Sequence, residues 1–254
     1  MGRFRSRAVA AAWNIGLVPI AQPDVRNRLL RRLAPEDYAL LAPHMERFRC
    51  DRAEFLFRRG EPLTHAYFLD AGIGSVVATS PEGRSVEAGL FGREGFAPTA
   101  LALGADRTPF DGTIQVPDEG WRIPAAPFRR AVDGSEGLRR LLLAFIDALS
   151  VQSSFTALSN AVHTADERLA RWLLMCHDRV DGDDLPLTHE FLSLMLAVRR
   201  PGVAGALRVL EGEGLIRAER GRITVRDRAG LEAFAGDVYG IPEETYRRLI
   251  GPLD

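Results

Sequence analysis

The sequence predicts an α+β protein in which a β-rich N-terminal domain, one long helix and a small C-terminal helical domain follow one another. Three observations predict this order. Short apolar segments separated by glycine- and proline-containing turns fill residues 48–123. A helical apolar pattern runs through residues 138–160. Two short helical patterns and two short strands then occupy residues 187–228.

The composition is typical of a globular chain: 254 residues, 46% hydrophobic and 26% charged, with a formal net charge of −1. This charge argues against a protein that coats nucleic acid along its whole length, but it leaves room for a local basic face. Cys50 and Cys176 are isolated in the sequence, which argues against a disulfide framework, a metal site or an iron–sulfur cluster with its usual four cysteines. No uninterrupted apolar run is long enough to span a membrane, so we expect a cytoplasmic protein without a membrane partner.

The N-terminal part is predicted to hold a tail over residues 1–25 and a β-rich domain over residues 26–133. Helices open this domain, because its first leucines have helical spacing and Pro35, followed by acidic residues, is a helix-start signal. Turn sequences such as RRGEP, SPEGR and VPDEG then separate short apolar segments, which predicts a β-sandwich or barrel. The predicted strands are residues 54–57, 66–69, 74–79, 85–91, 113–116 and 120–123.

The long helix is predicted over residues 134–162. Its three- and four-residue spacing places one stripe on a single face, apolar at its start and polar toward its end. We expect this stripe to form a dimer interface, because a helix that joins two domains must bury its apolar face somewhere. Packing on the chain's own β domain is the alternative. The stripe consists of Leu138, Leu142, Phe145, Leu149, Gln152 and Thr156.

The C-terminal domain is predicted over residues 163–236, followed by a tail over residues 237–254. Thr188 can cap a first helix, and Pro201 suits the first turn of a second helix that buries Val203, Leu207 and Leu210. Two short strands joined at the RG of AERGRI follow. Helix, turn, helix and hairpin in this order predict a winged helix-turn-helix.

Charge supports a role in DNA binding for this domain. Residues 199–228 contain eight arginines and four acidic residues, a local charge of +4 in a chain whose total is −1. Arginine suits both phosphates and guanine edges, and the start of the second helix is the part that enters the major groove. The predicted DNA-binding residues are Thr188, Arg199, Arg200, Arg208, Arg217, Arg220 and Arg222.

The segments ADERLARWLL, LTHEFLSLMLAVRRPGVAGALRVLEGEGLI and RGRITV resemble the C-terminal domain of bacterial regulators of the cyclic-AMP receptor protein and fumarate–nitrate regulator (CRP/FNR) family. The resemblance extends over roughly residues 27–235. It implies an N-terminal cyclic-nucleotide-binding-type β-roll as sensor domain, a dimerisation helix, an inverted-repeat DNA operator and RNA polymerase as partner. The family commonly reads DNA with an Arg-Glu pair and a second Arg; here Arg200 matches the first Arg, while Pro201 and Gly205 stand in place of the other two.

The resemblance also implies effector-binding positions in the sensor domain. Members that bind cyclic nucleotides carry a Gly-Glu pair followed downstream by an Arg and a Ser or Thr. Here an Arg-Thr pair is present but the Gly-Glu pair is displaced, so only half of this nucleotide-binding motif is present. The effector is therefore unidentified, and a cyclic nucleotide is the less favoured choice. The candidate effector residues are Glu94, Arg107, Thr108, Ser153 and Ser154.

These observations favour a dimeric, sequence-specific DNA-binding regulator whose β-roll senses an effector. The alternative is a cyclic-nucleotide-binding module whose DNA recognition is weakened and which acts through protein contacts, because Pro201 and Gly205 replace two expected readers. An enzyme is not expected and no catalytic residue is assigned, since nucleophile-elbow, metalloprotease, P-loop and dinucleotide motifs are missing from the sequence.

Overall fold

Short helices precede the first strand of the chain. The structure, a computed structural model, describes residues 20–253, so most of the predicted N-terminal tail lies outside the described residues. Asn27 caps α1 (Arg28–Arg32) by accepting a hydrogen bond from the Leu30 amide, and Pro35 opens α2 (Pro35–Leu41). Three-residue 3₁₀ turns flank them at Gln22–Asp24 and Ala42–His44.

Two antiparallel sheets form the N-terminal β-roll, as the sequence predicts. One sheet has the order β1-β7-β3 and the other the order β2-β6-β4-β5. Their inward faces enclose a core rich in phenylalanine, in which Phe68, Phe96 and Phe128 are each at most 1% exposed. The strands are β1 (Glu46–Cys50), β2 (Phe55–Phe57), β3 (His65–Leu69), β4 (Ile73–Thr79), β5 (Ser85–Phe91), β6 (Asp111–Val116) and β7 (Asp118–Pro124).

The long helix α4 (Glu136–Val162) follows α3 (Ala125–Gly134) and begins at Ser135, whose side chain accepts a hydrogen bond from the Leu138 amide. Its length agrees with the prediction, but the face assigned to dimerisation is wrong. Leu138, Leu142, Phe145, Gln152 and Thr156 are buried within the chain, and Leu149 packs against the core of the roll. The alternative, packing on the chain's own β domain, is the arrangement that the structure has.

The C-terminal domain begins with α5 (Ala165–His177), which Thr164 and Glu167 start with a reciprocal capping box. Strand β8 (Asp184–Leu185) then pairs with the hairpin that follows the helix-turn-helix, in the sheet order β8-β10-β9. The remaining elements are α6 (His189–Met195), α7 (Arg200–Gly212), β9 (Ile216–Glu219), β10 (Arg222–Val225) and α8 (Arg228–Ala235).

Part of the segment predicted as a C-terminal tail instead forms a helix that packs on the sensor domain. After a 3₁₀ turn at Gly236–Val238, α9 (Ile241–Leu249) lies against α4, and Tyr246 enters the core of the β-roll. The Tyr246 hydroxyl donates a 2.8 Å hydrogen bond to the Glu94 carbonyl oxygen. The chain therefore returns from the winged domain to the sensor domain.

By length and composition alone, α4 would qualify as a membrane-crossing helix. Its buried residues pack on the β-roll and α9, and the other side of the helix exposes Leu143, Leu158 and Val162. Two apolar faces on one helix, one buried in the protomer and one exposed, account for this composition.

Candidate nucleic-acid interface

The helix-turn-helix is built from local signals that the sequence carries. The Thr188 side chain accepts a hydrogen bond from the Phe191 amide at 3.4 Å and starts α6. Ala197, with a φ of +50°, turns the chain between the helices. Arg199 is the N-cap residue of α7, and Pro201 lies in its first turn, where a missing N–H costs nothing. The prediction of two helices joined by a short turn is confirmed.

Helix α7 has one buried and one exposed face. Val203, Ala206, Leu207 and Leu210 are buried against the rest of the domain. At 3.6 residues per turn, the centre of the opposite face holds Pro201, Gly205 and Arg208, with Arg200 at its flank. The exposed face therefore carries an arginine at each end and small residues without polar side chains between them.

Arginines line the exposed side of this element, and their partners in the chain are weak. Arg200 lies 3.6 Å from a Glu190 carboxylate oxygen, and both side chains are largely exposed. Arg208 donates from Nε to the Ala204 carbonyl oxygen at 3.2 Å, a contact within its own helix. Exposed ion pairs of this kind contribute little to stability, so these guanidinium groups can exchange their partners for phosphates or base edges.

The wing, which is the hairpin of β9 and β10, carries further arginines and also one glutamate. Arg217 and Arg222 both pair with Glu219, and Arg222 also lies 3.6 Å from Asp184. These arginines hold the pKa of Glu219 below its usual range, chiefly through the hydrogen bond from Arg222. Arg220 lies in the exposed turn of the wing, beside Gly221, whose φ is +78°. An open groove of about 1210 Å³ separates this turn from α7 and the start of α6.

The effector residues inferred from the resemblance have separate partners in the structure. Glu94 is 1% exposed and accepts a 2.8 Å hydrogen bond from the Arg179 guanidinium, which belongs to the loop after α5. Arg107 lies on an exposed loop and donates to the Gly60 carbonyl oxygen. Thr108 is buried beside Phe110. Glu94 is therefore paired with a residue that follows α5, whereas Arg107 and Thr108 have partners within the sensor domain.

Ser153 and Ser154 likewise have local partners. Each donates a 2.9 Å hydrogen bond to the helix carbonyl four residues earlier, from Leu149 and Ser150 respectively. Ser154 is exposed, and Ser153 is half-buried beside Gly89 of β5.

The interior of the β-roll does not fit a cyclic nucleotide. Thr108 lines a cavity of only about 20 Å³, whereas small-molecule sites usually offer several hundred. Three aromatic side chains and a proline occupy the space around it: Phe57, Phe96, Phe110 and Pro98. Where the family pattern has Gly-Glu, Gly95 is followed by Phe96. A Cβ on Gly95 would meet the Phe145 ring at 2.1 Å, so the packing around it is already tight.

The structure also reveals a surface that the sequence pattern did not single out. Leu143, Leu158 and Val162 on the outer side of α4 are 43%, 45% and 65% exposed. Val151 and Phe155 lie between them and are half-buried. A second apolar stripe beside the first was present in the sequence, but periodicity alone does not tell which of the two the chain itself covers.

Comparisons with known proteins agree with this architecture. A sequence-family model described as the Crp-like helix-turn-helix domain matches residues 167–234. A search of curated proteins found no match. Among the described residues, no group of three or more His, Cys, Asp or Glu side chains is arranged to hold a metal ion.

Three solved structures illustrate the similarity. A CRP-family transcriptional regulator from Thermus thermophilus has 23% identity and a TM-score of 0.60, over 76% of this chain and 97% of that one. FixK2 from Bradyrhizobium japonicum has 18% identity and a TM-score of 0.62, over 75% and 96%. The c-di-GMP-responsive global regulator CLP, which acts in Xanthomonas campestris, has 18% identity and a TM-score of 0.59, over 76% and 99%.

At these identities the solved structures establish the fold, and the family match establishes the kind of domain. Residues 167–234 are a Crp-like helix-turn-helix domain, in a chain that has the fold of the CRP/FNR transcriptional regulators.

Proposed function

We propose that this protein is a dimeric, sequence-specific DNA-binding transcriptional regulator. The observation that carries the proposal is the exposed arginine-bearing face of α7, which lies opposite its buried face in a domain that matches the Crp-like family. The N-terminal half of α7, with Arg199 and Arg200, would enter the major groove. Arg208 would lie further along the same face, and the wing arginines, Arg217, Arg220 and Arg222, would contact flanking phosphates.

Dimerisation would use the outer stripe of α4, around Leu143, Leu158 and Val162, rather than the stripe buried in the protomer. A second copy is the occupant that fits this stripe, since a helix with exposed leucine and valine can pair with its own symmetry mate. Two winged domains related by a two-fold axis would then read an inverted repeat with half-sites about one helical turn apart. RNA polymerase as a further partner, and a cytoplasmic location, are carried over from the family.

The second candidate is a module that acts through protein contacts. Pro201 and Gly205 favour it, because neither side chain can form a hydrogen bond with a base edge. The exposed arginines favour DNA, and the two functions differ in how binding responds to salt.

The test is fluorescence anisotropy of the full chain on duplexes selected from a random pool, at several salt concentrations. We expect steep salt dependence, because phosphate contacts release counterions. Arg200→Ala should weaken binding about tenfold and lower the salt slope by about one. Arg49→Ala is the matched control: Arg49 is also exposed and lies 3.9 Å from a carboxylate, but on β1 of the sensor domain. Failure to select any duplex, with or without added nucleotides, would favour the protein-contact module.

A further inference from the structure

The winged domain and the β-roll share one hydrophobic core. Ile73, Leu90 and Val116, from three strands of the roll, are buried together with residues of α5, α6 and α7. Leu90 and Ile73 are fully buried. Helix α6, the first helix of the helix-turn-helix, also packs directly on β5. The two domains are therefore not joined only through the turn after α4.

A buried carboxylate lies across this junction. Glu87 of β5 is 3% exposed and accepts a 2.9 Å hydrogen bond from the Trp172 indole Nε1 of α5. Its other oxygen accepts from the Ser75 hydroxyl of β4, which in turn accepts from the Gln115 side-chain amide of β6. A buried carboxyl group needs hydrogen-bond partners, so these contacts fix the position of α5 relative to β4, β5 and β6.

A second buried contact lies at the other end of α5. Arg179 donates from Nε to Glu94 at 2.8 Å, and the two side chains are 5% and 1% exposed. The Tyr246 hydroxyl of α9 donates to the Glu94 carbonyl oxygen at the same place. Separating the domains would break both of these hydrogen bonds.

The packing of the winged domain on the β-roll leaves the exposed face of α7 uncovered. Arg199, Arg200 and Arg208 are exposed while Trp172, on α5 of the same domain, is buried against the roll. The docked state therefore leaves the predicted DNA-contacting arginines accessible. The cavity that Thr108 lines inside the β-roll is about 20 Å³ and is surrounded by aromatic side chains.

From these observations, and resting on the proposed DNA-binding function, we propose that the protein binds its operator without a small-molecule effector. The buried junction between Glu87 and Trp172 takes the effector's place by holding the winged domain in one orientation on the roll. A winged domain that is already held in one orientation loses no orientational freedom when it binds DNA. Its population is also not divided between conformations that can and conformations that cannot bind DNA.

The first experiment selects operators for the purified full chain from a random duplex pool without nucleotides and then titrates the best duplex. We expect tight binding, and less than a twofold change in Kd when cyclic AMP, cyclic GMP or cyclic di-GMP is added at a saturating level. Selection that succeeds only with one of these nucleotides, or a change in Kd of tenfold or more, would overturn the inference and leave the proposed function standing. Failure of selection under every condition would instead remove the proposed function.

The second experiment opens the junction. Trp172→Phe removes the indole donor to Glu87, and Trp121→Phe is its matched control, because the Trp121 indole donates a 2.8 Å hydrogen bond to buried Asp70 within the sensor domain. Both lose a hydrogen bond to a buried carboxylate, so their losses of stability should be similar. We expect Trp172→Phe to weaken DNA binding at least fivefold and Trp121→Phe to leave it within twofold.

Glu87→Ala opens the same junction from the roll and leaves the winged domain's own residues unchanged, so it serves if Trp172→Phe does not fold. It should also weaken DNA binding at least fivefold, and it should split thermal unfolding into two transitions. If both junction variants bind the operator as tightly as the natural chain, the junction does not orient the reader and the inference is refuted.

Discussion

Glu87 makes the stability of this protein depend on pH in a direction opposite to that of an ordinary surface carboxylate. Burial raises its pKa to about 7, while hydrogen bonds from Ser75 and Trp172 partly oppose the rise. A raised folded-state pKa means that the folded protein binds this proton more tightly than the unfolded chain does. The contribution is therefore fully present below the unfolded pKa of 4.5 and is lost as the pH rises through about 7.

The change in the free energy of unfolding follows from the difference between the folded and unfolded pKa of Glu87. Between an unfolded pKa of 4.5 and a folded pKa of about 7, each unit corresponds to about 1.4 kcal/mol, so this one carboxylate removes about 3 kcal/mol of stability across that range. A single domain is typically stable by only about 5–15 kcal/mol, so the effect is measurable. The groups that face this carboxyl from the packed elements are Ser75, Gln115, Arg171, Trp172, Arg179 and Met195.

Urea unfolding of the natural chain and of Glu87→Gln at about pH 4 and about pH 8 measures this contribution of Glu87 to the free energy of unfolding. Glutamine has nearly the same shape and does not titrate, so the natural chain should lose about 3 kcal/mol more than the variant between the two pH values. Other buried groups titrate equally in both proteins and cancel in the difference. Parallel profiles, within about 1 kcal/mol, would refute the reasoning that Glu87 is buried and titrates near neutral pH.

Two further predictions concern the exposed faces of α7 and α4. An added Cβ on Gly205 or Gly212 would meet nothing within 4 Å, so either alanine variant should raise stability by up to about 1 kcal/mol in thermal unfolding. Gly205→Ala should nevertheless weaken operator binding at least threefold, because the glycine lies at the centre of the DNA-facing side; equal affinities for Gly205→Ala and Gly212→Ala would contradict this. Leu158→Glu should convert the dimer to a monomer in sedimentation, whereas Leu40→Glu, at 43% exposure against 45%, should not. A dimeric Leu158→Glu would place the interface elsewhere.

The sequence reveals the helix-turn-helix well because its signals are local. The cap at Thr188 and the proline in the first turn of the following helix, Pro201, lie within one short segment, and each is used as predicted. The β-roll follows from alternating segments and turn residues. Strand β1 was missed because its charged side chains, in ERFRC, give little apolar pattern.

Contacts between distant segments could not be predicted in this way. Glu87 and Trp172 are 85 positions apart, and nothing in the local pattern around either residue indicates the other. The stripe from Leu138 to Thr156 was correctly identified as a face to be buried, but periodicity does not say whether a second copy or the chain itself buries it. The answer depends on the roll and on α9, a helix that the sequence pattern did not indicate.

A hydroxyl-radical footprint of the full chain on a selected operator distinguishes a dimeric regulator from a monomeric one when sedimentation of the same complex gives the number of bound chains. A dimeric reader predicts two chains per duplex and two protected half-sites, related by a two-fold axis and about one helical turn apart. A single asymmetric half-site occupied by one chain would contradict the dimeric regulator proposed here.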